Sequence, residues 1–351
     1  MQSYVSIGVM SGTSLDGLDL VACRFSYDQS WHYEIIKSLS IPYSHKWVNK
    51  LSTASELNAL EFALLNNDFG KFIGKQVAKF CNDLPQKPDL VSSHGHTIFH
   101  QPQNKLTVQI GNGASIATRS GLRTACDFRT SDVALKGQGA PIVPIGDELL
   151  FAEYDFCLNL GGIANISFRE DGERRAFDIC PVNLAFNQFI KEMGYEYDLD
   201  GNFGRSGKVQ TELLGLLNEQ EFYHQKGPKS LSREWFEEES LPLILSFQLS
   251  PVDILRTLYE HVSDQLSFAV DRYPKGQMLI TGGGAHNVFL IEQFSEKTKH
   301  KTIVPSSQLI DFKEAIIFAF LGVLRLREEP NCLKSLTGAD YDHCGGVIYL
   351  P

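Results

Sequence analysis

The chain has 351 residues, room for two domains, with 43% apolar and 21% charged residues. Its net charge of −10 argues against broad nucleic-acid or anionic-membrane binding, which needs clustered Lys and Arg, though a local phosphate pocket is still allowed. The opening MQSYVSIGVM has no basic region, AIIFAFLGVL (315–324) is too short to span a bilayer, and the seven cysteines form no CxxC pair, so a cytoplasmic protein with reduced thiols is expected.

Residues 4–27 read as strand, turn, strand. The run 46–84 has apolar residues at three- and four-residue spacing and no proline, which predicts one or two helices. PDLVSSHGHTIFH (88–100) reads as a strand entering a polar turn. LTVQIGNGASIATRSG (106–121) reads as a strand, then a helix opening at Gly-Asn-Gly. Residues 123–151 start strand-like and become loop-rich. A second strand–turn–strand follows at 155–169, and helices dominate from about 183 to 273. MLITGGGAHNVFLIEQF (278–294) reads as strand, triple glycine, helix. A helix covers 313–328, and GGVIYLP closes the chain as a short strand. The pattern predicts two α/β domains flanking a cleft: residues 1–145 joined by 330–351, and residues 146–329.

Three glycine-containing turns follow apolar strands: SGTSLDG (11–17), NLGGIAN (159–165) and TGGGAHN (281–287). Glycine lets backbone N–H groups approach an anion without a β-carbon in the way. The hydroxyls of Ser11, Thr13 and Ser14 are placed to donate to phosphate, and Asp16 and Asp19 to hold a divalent cation, a combination suited to a Mg-nucleotide. Each turn taken singly also reads as a plain tight turn, and none matches the Walker loop or a GxGxxG dinucleotide fingerprint. Cys332, His343 and Cys344 are poorly spaced for zinc, and His94 and His96, flanking a glycine, read more readily as a hydrogen-bonded turn than as metal ligands.

The two hairpin turns plus a late glycine turn resemble the actin, hexokinase and chaperone ATPase superfamily. MSGTSLDGLD (10–19) resembles the opening of the anhydro-N-acetylmuramic acid kinases more closely still. HGHT (94–97), QIGNG (109–113), DFR (127–129), GQGAPIVP (137–144), NLGGIANIS (159–167), GRSGKV (204–209), PKSLSRE (228–234), GGGAHN (282–287) and FKEAIIFAFLG (312–322) follow in family order across nearly the whole chain. The resemblance implies two ribonuclease-H-like, actin-like ATPase domains. It also implies an ATP- and Mg2+-dependent kinase that opens the 1,6-anhydro ring with water and phosphorylates O6, giving N-acetylmuramic acid 6-phosphate. A homodimer is implied by the same analogy.

Residue roles follow from that resemblance. Asp178 is the general base; from its pattern alone it reads equally as a cap for the helix starting near Pro181. Gly12, Thr13, Ser14, Leu15, Asp16, Gly17 and Asp19 are placed at the phosphates, with Asp16 on Mg2+. Gly161 and Gly162 face the phosphates, and Gly282, Gly283 and Gly284 flank the adenosine. His94, Thr97, Arg129 and Asn183 are placed at the sugar, while Lys208 and Lys229 offer charge near the nucleotide. Glu314 lies in a helix resembling the family's interdomain helix.

Three segments depart from the family pattern: DICPVN (178–183) stands for DTGPGN, HGHT for HGQT, and PKSLSRE for PKSTGRE. Ile179, Cys180 and Val182 are expected to add side chains beside the sugar. That change motivates two alternatives: a kinase for another anhydro or amino sugar, and a nucleotide-gated sugar-binding regulator without turnover.

Overall fold

The structure, a computed structural model, describes residues 2–12, 14–225 and 228–351. The chain divides into two units, Met1–Ala152 with Phe312–Pro351 and Glu153–Asp311. The run 312–329, grouped with the second domain on sequence, therefore lies with the first unit, as does the helix Pro144–Leu150.

The first unit is built on a six-stranded sheet. Its strands are β1 (Gln2–Ser11), β2 (Gly17–Tyr27), β3 (Trp31–Pro42), β4 (Leu90–Ser93), β7 (Thr124–Cys126) and β13 (Val347–Tyr349), in the order β13-β7-β4-β1-β2-β3. β1, β2 and β3 form an antiparallel meander, and β4 and β7 then add in parallel. A small hairpin of β5 (His96–Gln101) and β6 (Leu106–Ile110) stands apart. The helix Ala59–Cys81 starts on Asn58, whose side chain accepts from Leu60 and Glu61 N–H, and buries Phe69, Ile73, Val77 and Phe80 at helical spacing. These pack on Ile7, Val9, Leu18 and Leu20 of the meander. The helix Ser307–Leu326 crosses into this unit at Phe312, and its Ala315 carbonyl would lie 1.8 Å from any β-carbon on Gly8. Only glycine allows β1 that close to the helix.

The second unit repeats the design. β8 (Phe156–Leu160), β9 (Ile163–Glu170), β10 (Glu173–Pro181), β11 (Gln277–Thr281) and β12 (Lys301–Ile303) run in the order β10-β9-β8-β11-β12. Again an antiparallel meander is extended by two parallel strands. The sheet packs on the helix Pro251–Val270, which Ser250 caps by accepting Asp253 N–H. The shared strand order is the ribonuclease-H-like arrangement. No described helix is long and apolar enough to cross a membrane.

Candidate functional site

In the first unit, β1 ends at Ser11 and the chain turns before β2. Ser14 Oγ donates to Asp16 Oδ1 at 2.8 Å, and Leu15 takes a left-handed φ of 60°. Asp16 is exposed; Asp19, half-buried, accepts from Ser40 Oγ at 2.5 Å. Two carboxylates and a serine hydroxyl are hard oxygen donors that fit Mg2+ directly or through water. A β-carbon on Gly17 would meet the Ile41 carbonyl at 2.6 Å, so this glycine serves strand packing, whereas one on Gly12 meets only Ser14 Oγ, at 3.2 Å. Thr13 lies outside the described residues.

The sequence reading of Ser11 is corrected here. Its hydroxyl is buried, accepts from Tyr43 OH at 2.7 Å and bonds His96 Nδ1 at 2.9 Å. The imidazole of HGHT thus ties the start of β5 to the end of β1. Burial lowers the His96 pKa, which keeps the ring neutral.

His94 is buried too, and its Nε2 accepts from Arg129 Nε and Nη2, both at 3.1 Å. Burial, followed by the Arg129 charge, pushes its pKa well below the ordinary value. Nε2 of His94 therefore holds a guanidinium, while its Nδ1 has no hydrogen-bond partner among the described residues. Arg129 Nη1 also donates to the Gly139 carbonyl at 2.7 Å. These bonds use three of five guanidinium N–H groups and leave two for a ligand. Thr97, half-buried on β5, pairs with Gln109.

A carboxylate not assigned to the site on sequence, the exposed Glu314, lies within electrostatic range of Arg129, Lys313 and Asp19. Its only signal in the sequence is an acid on a helix face that otherwise runs AIIFAF.

In the second unit, the turn between β8 and β9 is Gly161–Gly162. Its carbonyls accept from the start of the next helix: Val182 and Leu184 N–H bond Gly162 O, and Asn183 N–H bonds Gly161 O. Among the described residues, neither glycine N–H has an acceptor. A β-carbon on Gly161 or Gly162 would meet nothing closer than 3.5 Å. Neither crowding within the chain nor a positive φ demands these glycines, so the open space suits an anion held by backbone N–H groups. Asn183, set down as a sugar ligand, donates Nδ2 to Leu160 O at 3.2 Å and braces this turn. The triple glycine lies against the same turn. Gly282 has φ 81° and would place a β-carbon 2.4 Å from Asn159 Oδ1, Gly284 packs on Leu160, and Gly283 has room.

Asp178 sits at a bulge in β10. Its N–H donates to Lys229 O at 2.9 Å, and its Oδ2 accepts Leu231 N–H at 2.8 Å. The helix Asn183–Glu192 has no side-chain cap, which removes the capping reading. Burial raises the Asp178 pKa, and the Leu231 N–H partly offsets this. A half-buried carboxylate with one oxygen free of that backbone bond and a raised pKa has the properties of a general base.

Of the departures from the family pattern, Ile179, Cys180 and Val182 are all buried in the core of this unit, and Ile179 also lines a cavity with Phe177, Tyr223 and Lys229. Burial pushes the Cys180 thiol pKa far up, so it is inert. Leu231, in the altered PKSLSRE segment, engages Asp178 through its backbone alone. Lys229 Nζ donates to Phe222 O at 2.8 Å and lies over the Phe222 ring, so its charge is not aimed at a nucleotide by these contacts. Lys208 contributes its backbone N–H to Asp253.

A sequence model of the family described as anhydro-N-acetylmuramic acid kinase matches residues 4–351. A relative named anhydro-N-acetylmuramic acid kinase from Vibrio vulnificus (strain CMCP6) is 33% identical, covering 98% of this chain and 97% of its own. One of the same name from Vibrio cholerae serotype O1 is 34% identical, covering 98% of each. Among solved structures, a ROK family glucokinase from Streptomyces griseus is similar at 12% identity and a TM-score of 0.41, covering 90% of this chain and 98% of that one.

Proposed function

The chain belongs to the anhydro-N-acetylmuramic acid kinase family, and from that premise we propose that it is an ATP- and Mg2+-dependent kinase for 1,6-anhydro-N-acetylmuramic acid. The observation that carries the reading is Asp178: a carboxylate freed from capping, backed by one backbone N–H, with its pKa raised by burial. The family match over residues 4–351 supports the anhydro sugar rather than another.

The reaction needs water at the anomeric carbon and then O6 at the γ-phosphorus. Asp178 takes a proton from the water as it attacks C1. The C1–O6 bond breaks and its electrons go to O6. O6 attacks the γ-phosphorus, the bond to the β-phosphate oxygen breaks, and ADP leaves. Arg129, oriented by His94 and Gly139 O, supplies two N–H groups in a plane, suited to the lactyl carboxylate. The free N–H groups of Gly161 and Gly162 cradle phosphate oxygens, and Asp16 and Asp19 would hold Mg2+, which neutralises phosphate charge when bound.

Mass spectrometry of the product formed in 18O-labelled water tests this. The expected product carries one 18O and one phosphoryl group. Asp178→Asn should lose about 10²- to 10⁴-fold in kcat, the range a general base supplies. Product without 18O, or undiminished turnover in the variant, overturns the assignment. ATP and sugar binding without ADP release would favour the regulator.

A further inference from the structure

A second cluster of chemistry-bearing side chains lies in the first unit, at the tail. Cys332 and His343 face each other across an antiparallel bridge, with Cys332 N–H donating to His343 O and His343 N–H to Cys332 O, both at 3.1 Å. Directly opposed residues in an antiparallel pair point to one face. There they meet Asp132, from the helix Thr130–Ala134. One ligand-type atom from each of the three residues lies within 4.8 Å of the others, and residue exposures are 0% for Asp132, 1% for Cys332 and 7% for His343.

The hydrogen bonds around the trio define what the centre lacks. Asp132 Oδ2 accepts Gly139 N–H at 2.7 Å, and Oδ1 accepts Thr337 Oγ1–H at 2.7 Å. His343 Nδ1 lies 3.4 Å from the Tyr341 carbonyl, which can only accept, so the proton belongs on Nδ1. The Nε2 lone pair then points inward, buried, with no hydrogen-bond partner, and 3.8 Å from Asp132 Oδ1. With Nδ1 protonated, the Nε2 lone pair faces a carboxylate oxygen, an arrangement that a metal cation between them satisfies. A backbone-anchored Nδ1–H with a free Nε2 is how metal-bound histidines are usually oriented. The edge of a tetrahedral zinc site is about 3.5 Å, from bonds of about 2.0 to 2.3 Å, so the observed 3.8 Å needs little contraction.

We infer that Asp132, Cys332 and His343 form a zinc site that staples the C-terminal segment to the helix Thr130–Ala134. The ligand set decides the metal. A thiolate excludes Mg2+ and Ca2+, and mixed S, N and O donors in a closed pocket suit Zn2+. Burial holds the Cys332 thiol protonated up to about 12 without a metal, so binding must release that proton to solvent. Cys344, next to His343 in the chain, is not among the residues whose donor atoms cluster and is not a ligand. The staple bears on the sugar site because Arg129 caps the helix that Asp132 anchors. The zinc reading of this tail fails on sequence spacing alone because the third ligand lies 200 positions upstream of Cys332.

The test uses tag-free, reduced, full-length protein. It is equilibrated with Zn2+, gel-filtered, and assayed for metal by mass spectrometry, with Co2+ in parallel for its absorption spectrum. Wild type should retain about one metal per chain. The Co2+ form should show a thiolate charge-transfer band and intense visible bands of a tetrahedral ion. Cys332→Ser should lose both, Cys344→Ser should keep both, and Zn2+ should raise the Tm of wild type alone among wild type and Cys332→Ser. Failure of wild type to retain metal, or the absence of a thiolate band, overturns the site and leaves a buried His–Asp pair; equal retention by Cys332→Ser overturns it as well. The wild-type Co2+ spectrum decides the matter even where a variant does not fold.

Discussion

At the scale of residues, the first unit turns on His94 and Arg129. The imidazole accepts two guanidinium N–H groups, which only its neutral form can do. His94→Ala removes that support and leaves a buried cation with two fewer acceptors. Charge-assisted hydrogen bonds contribute about 1.5–3 kcal/mol each, so kcat/KM should fall about 10- to 100-fold, mostly through KM for the sugar. His94→Gln restores an acceptor and should recover part of the loss. Equal kcat/KM for wild type and His94→Ala, in steady-state assays with the sugar varied, would remove His94 from the positioning of Arg129. Asp178 makes a second residue-scale prediction. Its carboxyl pKa is raised by burial, so the base form is lost, and kcat/KM should drop, at a higher pH than for an ordinary aspartate. The sign for stability is opposite to that for activity. A raised acid favours the folded state below its pKa and is a burden above it, so Asp178→Asn should keep or slightly raise Tm at neutral pH while turnover is lost.

At the scale of elements, the glycine turns separate into two physical kinds. Gly282 is fixed by φ 81° and by Asn159 within 2.4 Å of its missing β-carbon, so Gly282→Ala should cost about 1–3 kcal/mol and lower Tm. Gly161→Ala meets nothing closer than 3.5 Å and should fold normally. Its methyl group instead occupies the space in front of the free N–H groups, and nucleotide affinity should fall at least about tenfold, a loss of about 1.4 kcal/mol. Calorimetric titration with ATP analogues beside thermal melts separates the two; a Gly161→Ala protein with unchanged affinity would mean that the turn grips no phosphate. The same elements show what was readable beforehand. The turns SGTSLDG, NLGGIAN and TGGGAHN break apolar strands with small residues, a local signal that survives folding. The third strand of each meander, β3 and β10, was not recognised. β3 carries few fully buried residues and β10 is interrupted by a bulge, so neither shows a clean alternation. The fate of Ile179, Cys180 and Val182 was hidden for a related reason. Which face a bulged strand end presents depends on a register shift between Asp178 and Cys180 that no local pattern announces. His94 and Asp132 were unreadable as supports because their partners lie 35 and about 200 positions away.

At the scale of the whole molecule, both units follow one plan, an antiparallel meander extended by parallel strands, and both bury histidines in neutral form. His94 and His96 in the first unit and His261 in the second are buried, and all have pKa values lowered chiefly by burial. His261 reaches about 3; its Nδ1 faces Asn218 Oδ1 at 2.6 Å and its Nε2 faces Tyr223 OH at 3.1 Å. An unfolded histidine takes up a proton near pH 6.5, about its ordinary value. Between that pH and each folded-state pKa, the unfolded chain binds more protons than the native one, so stability falls as pH falls. Asp178 and Glu314, with raised values, act in the opposite sense over their own range. The buried histidines are more numerous than these two carboxylates, so the net slope below pH 6.5 follows the histidines. Each histidine held neutral contributes a slope of about 1.4 kcal/mol per pH unit below 6.5. Chemical denaturation at a series of pH values from 8 to 4 should therefore show a plateau above about 7 and a steep decline beneath it. His261→Gln keeps an amide between Asn218 and Tyr223 and should flatten the decline by one proton's slope without altering the plateau's position. A stability that stays level from 7 to 5, or a His261→Gln curve parallel to wild type, would mean that these rings accept protons inside the folded protein and that burial is not what keeps them neutral.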